Sequence, residues 1–206
     1  MLSHRWGDSD AVAILAPVSS VAEAVARAAA GARLVDVGTA EALIPAIRRA
    51  TADVLICGYA EGADLVLDAD LAARSGAGLI CRDPAAAASA VRRGIAPERI
   101  LVRVTPAQIE PAAESGWATL VDVDAAGGPL GGVASAEGWP ADADSPADAV
   151  ADAGLLAGVE AVAAVCGWLG VSVVETRHVA EVRRALDMTE TIRGTRPPAW
   201  TVRGLA

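Results

Sequence analysis

The chain has 206 residues, enough for one α/β domain or a compact barrel. It contains no lysine, asparagine or phenylalanine, one glutamine (Gln108), one tyrosine (Tyr59) and two histidines (His4 and His178), while alanine fills 49 positions. Without a side-chain primary amine, a Schiff base, a pyridoxal phosphate anchor and a P-loop lysine are excluded, and a net charge of −9 excludes the basic field of a nucleic-acid surface while leaving room for a local anion site.

The opening MLSHRWGDSD lacks an apolar stretch after a basic one, so it does not read as a secretory signal, and a cytoplasmic protein is expected. The first apolar run is 11–16 (AVAILA), followed by Ser20 as an N-cap and a helix, VAEAVARAAA, that stops at Gly31. A second run at 34–37 precedes a helix over 44–50, and a third lies at 54–57. The fourth, 79–81, follows Gly76 and Gly78; a helix over 85–93 and the turn Gly94 to Pro97 then lead to the fifth, 100–104. A sixth run, 118–123, follows Gly116, and the last, 171–174, follows Gly170 and precedes a final helix. Residues 153–174 carry only Glu160 as a charge, yet their Ala/Gly-rich interior and β-branched end read as helix, turn and buried strand, not as a membrane span. Cys57, Cys81 and Cys166 show no metal-ligand spacing and read as reduced, buried small hydrophobes.

Runs without polar alternation are strands buried on both faces, and their alternation with helices predicts right-handed βαβ units and a parallel sheet. The expected fold is a single TIM-like (β/α)8 barrel domain over 1–206, with seven clear strands. Either one strand is short or the barrel is incomplete. The Gly-, Pro- and Asp-rich segment 125–145 reads equally as a lid or as a decayed βα unit. The tail 194–206, with Trp200 and Val202, reads as a docking segment for this barrel or another subunit.

Parallel α/β folds place their chemistry at the C-terminal ends of strands. The ligand-binding candidates there are Asp36, Tyr59, Arg82, Arg103, Asp122, Asp124, Glu175 and Arg177. Alternation along a strand puts Asp122 with Asp124 on one face, and Glu175 with Arg177 on another. These charges either grip a ligand or pair with one another across the mouth, and pairing is expected. His178 points toward the last helix as a capping or packing residue. The glycines 127, 128, 131 and 132 are a weak phosphate cradle, without the GxGxxG spacing. No metal site and no catalytic residue is assigned.

Four segments resemble dihydropteroate synthases. VSVVETRHVAEVRRALDM (171–188) is similar to their final strand and helix, and GARLVDVG (31–38) to their second strand. RRGIAPERILV (92–102) is similar to the approach to their DPG strand, and GWATLVDVD (116–124) to the strand that normally carries SRK. The resemblance implies a shortened member of the pterin-binding barrels. It also implies an altered site. Aligned without a gap, the family's last-strand Arg and His fall on Glu175 and Arg177, and its SRK serine and lysine on Asp124 and Ala126. The DPG aspartate falls on Arg103 and the fourth-strand asparagine on Arg82. Asp36 alone matches a family aspartate; the loop after it and the NvTPDSF segment of the first strand are missing. A gapped alignment would restore His178 but place it and Arg177 on opposite faces.

The resemblance therefore implies a folate-pathway-related barrel with synthase activity absent or very low, binding a small anionic or pterin-like ligand without a cofactor. The alternative is a non-catalytic interaction or regulatory subunit. Expected partners are a second copy of the chain or a related full-length enzyme, with no nucleic acid and no membrane.

Overall fold

The computed structural model describes residues 11–127 and 146–196, and the side chains among these except those of 146–153. The strands are β1 (Ala13–Pro17), β2 (Leu34–Asp36), β3 (Leu55–Gly58), β4 (Leu65–Val66), β5 (Gly78–Cys81), β6 (Ile100–Arg103), β7 (Ala118–Asp122) and β8 (Val173–Glu175). They form a closed barrel in sequence order, and every neighbouring pair is parallel. The barrel is complete. The strand absent from the sequence reading is β4, two residues long.

Helices return the chain between most strands: α1 (Val21–Ala29), α2 (Ile44–Ala50), α3 (Ala69–Ser75), α4 (Pro84–Arg92), α5 (Ile109–Glu114), α6 (Val123–Ala126), α7 (Pro146–Leu169) and α8 (Val179–Arg193). Their starts obey local chemistry. Ser20, Asp68 and Asp83 cap α1, α3 and α4 by accepting from the backbone N–H of Glu23, Leu71 and Ala86. Between β3 and β4 there is no helix. Cys57 pairs with Leu65 and Gly58 with Val66, so the chain returns by little more than the length of its own turn. Asp64 fastens that turn. Its carboxylate accepts from the Ile56 N–H at 2.8 Å and pairs with Arg48 at 2.9 Å, and its own N–H donates to Ile56 O.

Two apolar layers follow from strand alternation. Leu15, Leu34, Leu55, Cys57, Leu65, Ile80, Leu101, Leu120 and Val173 fill the barrel interior. The opposite strand faces, including Ile14, Val35, Ile56, Ile100, Val121 and Val174, pack against the helices. Many helix residues in that layer are alanines, such as Ala24, Ala72, Ala87, Ala90, Ala112 and Ala163. Small side chains let the helices approach the sheet closely, which is how a chain with so little aromatic volume fills its core. At Gly127 and Gly158 side chains disappear altogether: a Cβ on Gly127 would lie 2.6 Å from Val159 N, and one on Gly158 would strike Gly127 O. The end of α6 thus rests directly on the backbone of α7.

The charged face of α8 is also tied to the barrel. Glu190 is 4% exposed; its carboxylate accepts from the Val12 N–H at 3.2 Å and from Arg183 at 3.0 Å, while Arg183 also donates to Val12 O. This clip fastens the strand entering β1 to the last helix. Among the described residues no helix is long and apolar enough to cross a membrane. Segment 128–145 and residues 197–206, with Trp200 and Val202, lie outside the described residues. The described start of the tail follows Gly194, and Arg196 there pairs with Asp187 of α8.

Candidate functional site

Parity around the barrel decides which charges enter it. Leu15, Leu34 and Leu55 are register partners in the interior, as are Leu120 and Val173. Two residues further along the same faces stand Asp36, Cys57, Asp122 and Glu175, with Asp36 level with Cys57 and Asp122 level with Glu175. Arg103 follows interior Leu101 by two, and Arg82 follows interior Ile80 by two, just past the end of β5. The mouth is a ring of inward polar groups on an apolar barrel.

Within this ring Arg103 Nη2 stands 2.7 Å from Glu175 Oε2, across the intervening β7. Oε2 is buried, and the Arg103 guanidinium is the cation it faces. Burial pushes the Glu175 carboxyl above its ordinary range; the Arg103 charge opposes this, and Asp122 and Asp36 add to it. In the same ring, level with Asp36, Cys57 is fully buried. Burial raises its thiol pKa well above the usual value, and the negative charges of Asp36, Glu175 and Asp64 raise it further. A neutral thiol is what that position holds, in line with its reading as a small hydrophobe.

The Arg103–Glu175 pair stands between two pockets. One, of about 210 Å³, is lined by Tyr59, Leu67, Leu79, Ile80, Arg82 and Arg103. The other, of about 300 Å³, is lined by Pro17, Asp122, Asp124, Glu175, Thr176 and Arg177. Tyr59 is 54% exposed at the rim of the first, and Arg82 is exposed there as well. Arg82, Arg103 and Arg177 therefore do not converge: the first two share a pocket, and Arg177 lies in the other.

Asp124 and Arg177 differ from the sequence expectation. The chain leaves β7 at Asp122 and turns into α6, with the Asp122 carboxylate accepting from Ala125 N–H at 2.9 Å as the N-cap. Strand alternation therefore stops before Asp124. Its carboxylate accepts from the Thr176 hydroxyl at 2.6 Å and the Arg177 N–H at 2.8 Å, and pairs with Arg177 Nε at 3.3 Å. It fastens the end of β8. Likewise β8 ends at Glu175, so Arg177 is not a strand residue sharing its face; its side chain is 69% exposed. Asp36 is held in a turn, accepting from Gly38 N–H at 2.8 Å. His178 occupies the N-cap position of α8, but its side chain makes no capping bond.

Thr176 was missed by sequence reading: it is 1% exposed, bonded to Asp124, and accepts from His178 N–H at 2.9 Å. Nothing in the string ETRH distinguishes it. Gly127 does not belong to a phosphate cradle, because α7 occupies the space beside it; the other three glycines lie outside the described residues. Among the described residues no His, Cys, Asp or Glu cluster could hold a metal ion.

No family model matches the chain. Over 51 residues it is 45% identical to the inactive dihydropteroate synthase 2 of Mycobacterium leprae (strain TN), a stretch that covers 25% of this chain and 18% of that relative. In three dimensions it is similar to Rv1207 of Mycobacterium tuberculosis, with a TM-score of 0.66 and 24% identity over 93% of this chain and 95% of that one. The Yersinia pestis dihydropteroate synthase gives a TM-score of 0.66 at 16% identity, covering 89% and 93%. The Xanthomonas albilineans enzyme in complex with 7,8-dihydropteroate gives 0.64 at 16%, covering 89% and 94%. The fold is the dihydropteroate synthase barrel.

Proposed function

We propose that this dihydropteroate-synthase-like barrel binds a small anionic or pterin-like ligand at its mouth, in the cytoplasm and beside the folate pathway, without ordinary synthase turnover. The observation that carries the reading is the pocket of Arg82 and Arg103. Two guanidinium groups face an apolar floor of Leu67, Leu79 and Ile80, and Arg82 has no ion-pair partner among the described residues. Planar donor forks above apolar surface suit an anion with an apolar body.

The loss of synthase turnover is supported by the residues at the resembled positions. The synthase reaction displaces pyrophosphate from a pterin methylene by the amine of p-aminobenzoate, and needs donors on the leaving group and acceptors on the ring. Here a carboxylate, Glu175, takes the place of a leaving-group donor, while Arg103 replaces a ring acceptor with a donor. Each ring amino group left without a partner costs about 1 to 3 kcal/mol. The name of the mycobacterial relative, an inactive synthase, supports the same reading.

Calorimetric titration with dihydropterin pyrophosphate, dihydropteroate and p-aminobenzoate tests it. Saturable heat with at least one of them, lost in Arg103→Ala, is expected, together with no release of pyrophosphate when the two substrates are combined. Absence of heat from all three, or pyrophosphate release at a synthase-like rate, would remove the reading.

A second reading, a non-catalytic subunit of a homodimer or of a complex with a full-length relative, is favoured by a different observation. Val165 and Trp168 on α7, and Met188 and Ile192 on α8, are all more than half exposed, on two helices that pack side by side. Light scattering decides it: a dimer that Trp168→Ala dissociates supports this reading, and a monomer at all concentrations, alone and with a full-length synthase, counts against it.

A further inference from the structure

Apart from Arg177, which pairs with Asp124, the charges of the mouth are separated by sign. In the closed barrel β7, β8, β1 and β2 are consecutive neighbours, and the inward ends of three of them carry Asp122, Glu175 and Asp36. Arg82 and Arg103 stand on the opposite arc, at β5 and β6. Only Arg103 reaches across, and among the described residues neither Asp36 nor Asp122 has an ion pair. Asp122 and Glu175 are level on adjacent strands, an arrangement of like charges that costs stability unless a cation lies between them. Glu175 Oε2 is buried and has Arg103 at 2.7 Å as its cation. The two pockets follow this division in part: Asp122, Asp124 and Glu175 line one, where Arg177 is already paired with Asp124, and Arg82 and Arg103 line the other.

We propose that the mouth takes a zwitterion, an aminocarboxylate with an apolar spacer, its carboxylate on Arg82 and Arg103 and its ammonium between Glu175 and Asp122. This rests on the reading of the mouth as a ligand site and names the class of ligand. A simple anion would draw Arg103 from Glu175 and leave a buried carboxylate unpaired, while a simple cation would leave the arginines facing each other. A zwitterion replaces both halves of the Arg103–Glu175 pair at once. It gives Oε2 a donor in place of Arg103, puts a positive charge between two register-paired carboxylates, and lays its methylenes on the apolar floor beside the arginines.

The probes are ε-aminohexanoate, hexanoate and hexylamine, followed by ligand-observed NMR on the full chain. The zwitterion is expected to bind at least about tenfold more tightly than either singly charged analogue, since each lacks one charge-assisted hydrogen-bonded end. In Glu175→Gln its advantage over hexanoate is expected to fall below about twofold. Asp122→Asn repeats the test in a variant whose asparagine still caps α6, and thermal melts confirm that both variants fold. Hexanoate binding as tightly as the zwitterion would overturn the proposal while leaving the anion-binding reading in place, as would an advantage unchanged in both variants. Failure of all three probes to bind would also overturn it, and the calorimetric titrations then decide separately whether the mouth binds anions at all.

Discussion

Arg103→Ala isolates what the ion pair does for the barrel. Glu175 has a side chain 16% exposed, faces Asp122 and Asp36, and has Arg103 as its cation at 2.7 Å. Removing one partner of a buried pair costs about 3 to 5 kcal/mol, and the 36% exposure of Arg103 lets water compensate for part of it, so a loss of about 2 kcal/mol at neutral pH is expected. For a domain of this size that is a fall in Tm of about 4 to 8 °C. The dependence on pH has a definite sign. The Glu175 carboxyl is already raised in the folded protein and rises further without Arg103, so the folded state binds the proton more tightly than the unfolded chain. Stability then declines as pH rises from the ordinary carboxylate value through the raised one, and the penalty of Arg103→Ala shrinks toward acid. In the double variant Arg103→Ala with Glu175→Gln, the unpaired charge is gone and much of the loss is recovered. Urea denaturation followed by circular dichroism at several pH values measures all of this. A cost below about 0.5 kcal/mol at neutral pH, or strictly additive variants, would refute the view of the pair as a desolvated couple.

Gly158→Ala forces α7 away from Gly127 and is expected to cost about 1 to 3 kcal/mol by overpacking; an unchanged melt would contradict the backbone contact described above. Glu190→Ala leaves Val12 N–H without its acceptor while Arg183 keeps Asp187 at 2.5 Å, with an expected loss of about 1 to 3 kcal/mol and faster amide exchange at Val12, read by hydrogen-exchange mass spectrometry. Burial pushes the Cys81 and Cys166 thiols up to about 11, and Cys57 is raised as well. Iodoacetamide at pH 8 should therefore label none of the three in the native protein and all three in denaturant; native labelling within minutes would show the barrel interior to be open at Cys57, or the layer between sheet and helices at Cys81 and Cys166.

Strand ends set the limit of what sequence could reveal. Alternation holds for Asp36, Arg103, Asp122 and Glu175 because each lies on a strand, and all four face the barrel mouth. It fails for Asp124 and Arg177 because the chain has left the strand by then. The cause of the first failure was visible: an aspartate at 122 followed by Val-Asp-Ala can cap a short helix as readily as it can close a strand. The strand β4 was hidden for a different reason. Leu65, Val66 and Leu67 between Asp64 and Asp68 are as short a run as 79–81, but no helical pattern separates them from β3, so they do not stand out as a further βα unit. The strand exists because β3 and β5 on either side offer it hydrogen-bonding edges. Glu190 looked like an ordinary surface charge of α8, and only its meeting with Val12, 178 residues away, makes it buried. Long-range pairings of single polar residues leave no periodic trace.

The direct passage from β3 to β4 bears on how the barrel assembles. The Ile56–Asp64 bond closes a separation of 8 residues, whereas the Val12–Glu190 bond spans 178. Loop-closure entropy increases with separation, so β3–β4 is the least costly strand pairing of the barrel to close, and the β1–β8 seam is the most demanding. The barrel is expected to zip outward from β3 and β4 and to fasten at the α8 clip last. Pulse-labelling exchange during refolding should protect Ile56 and Asp64 before Val12, and the reverse order would place the nucleus elsewhere. A helix omitted from the outer ring thus becomes a seed for the sheet inside it.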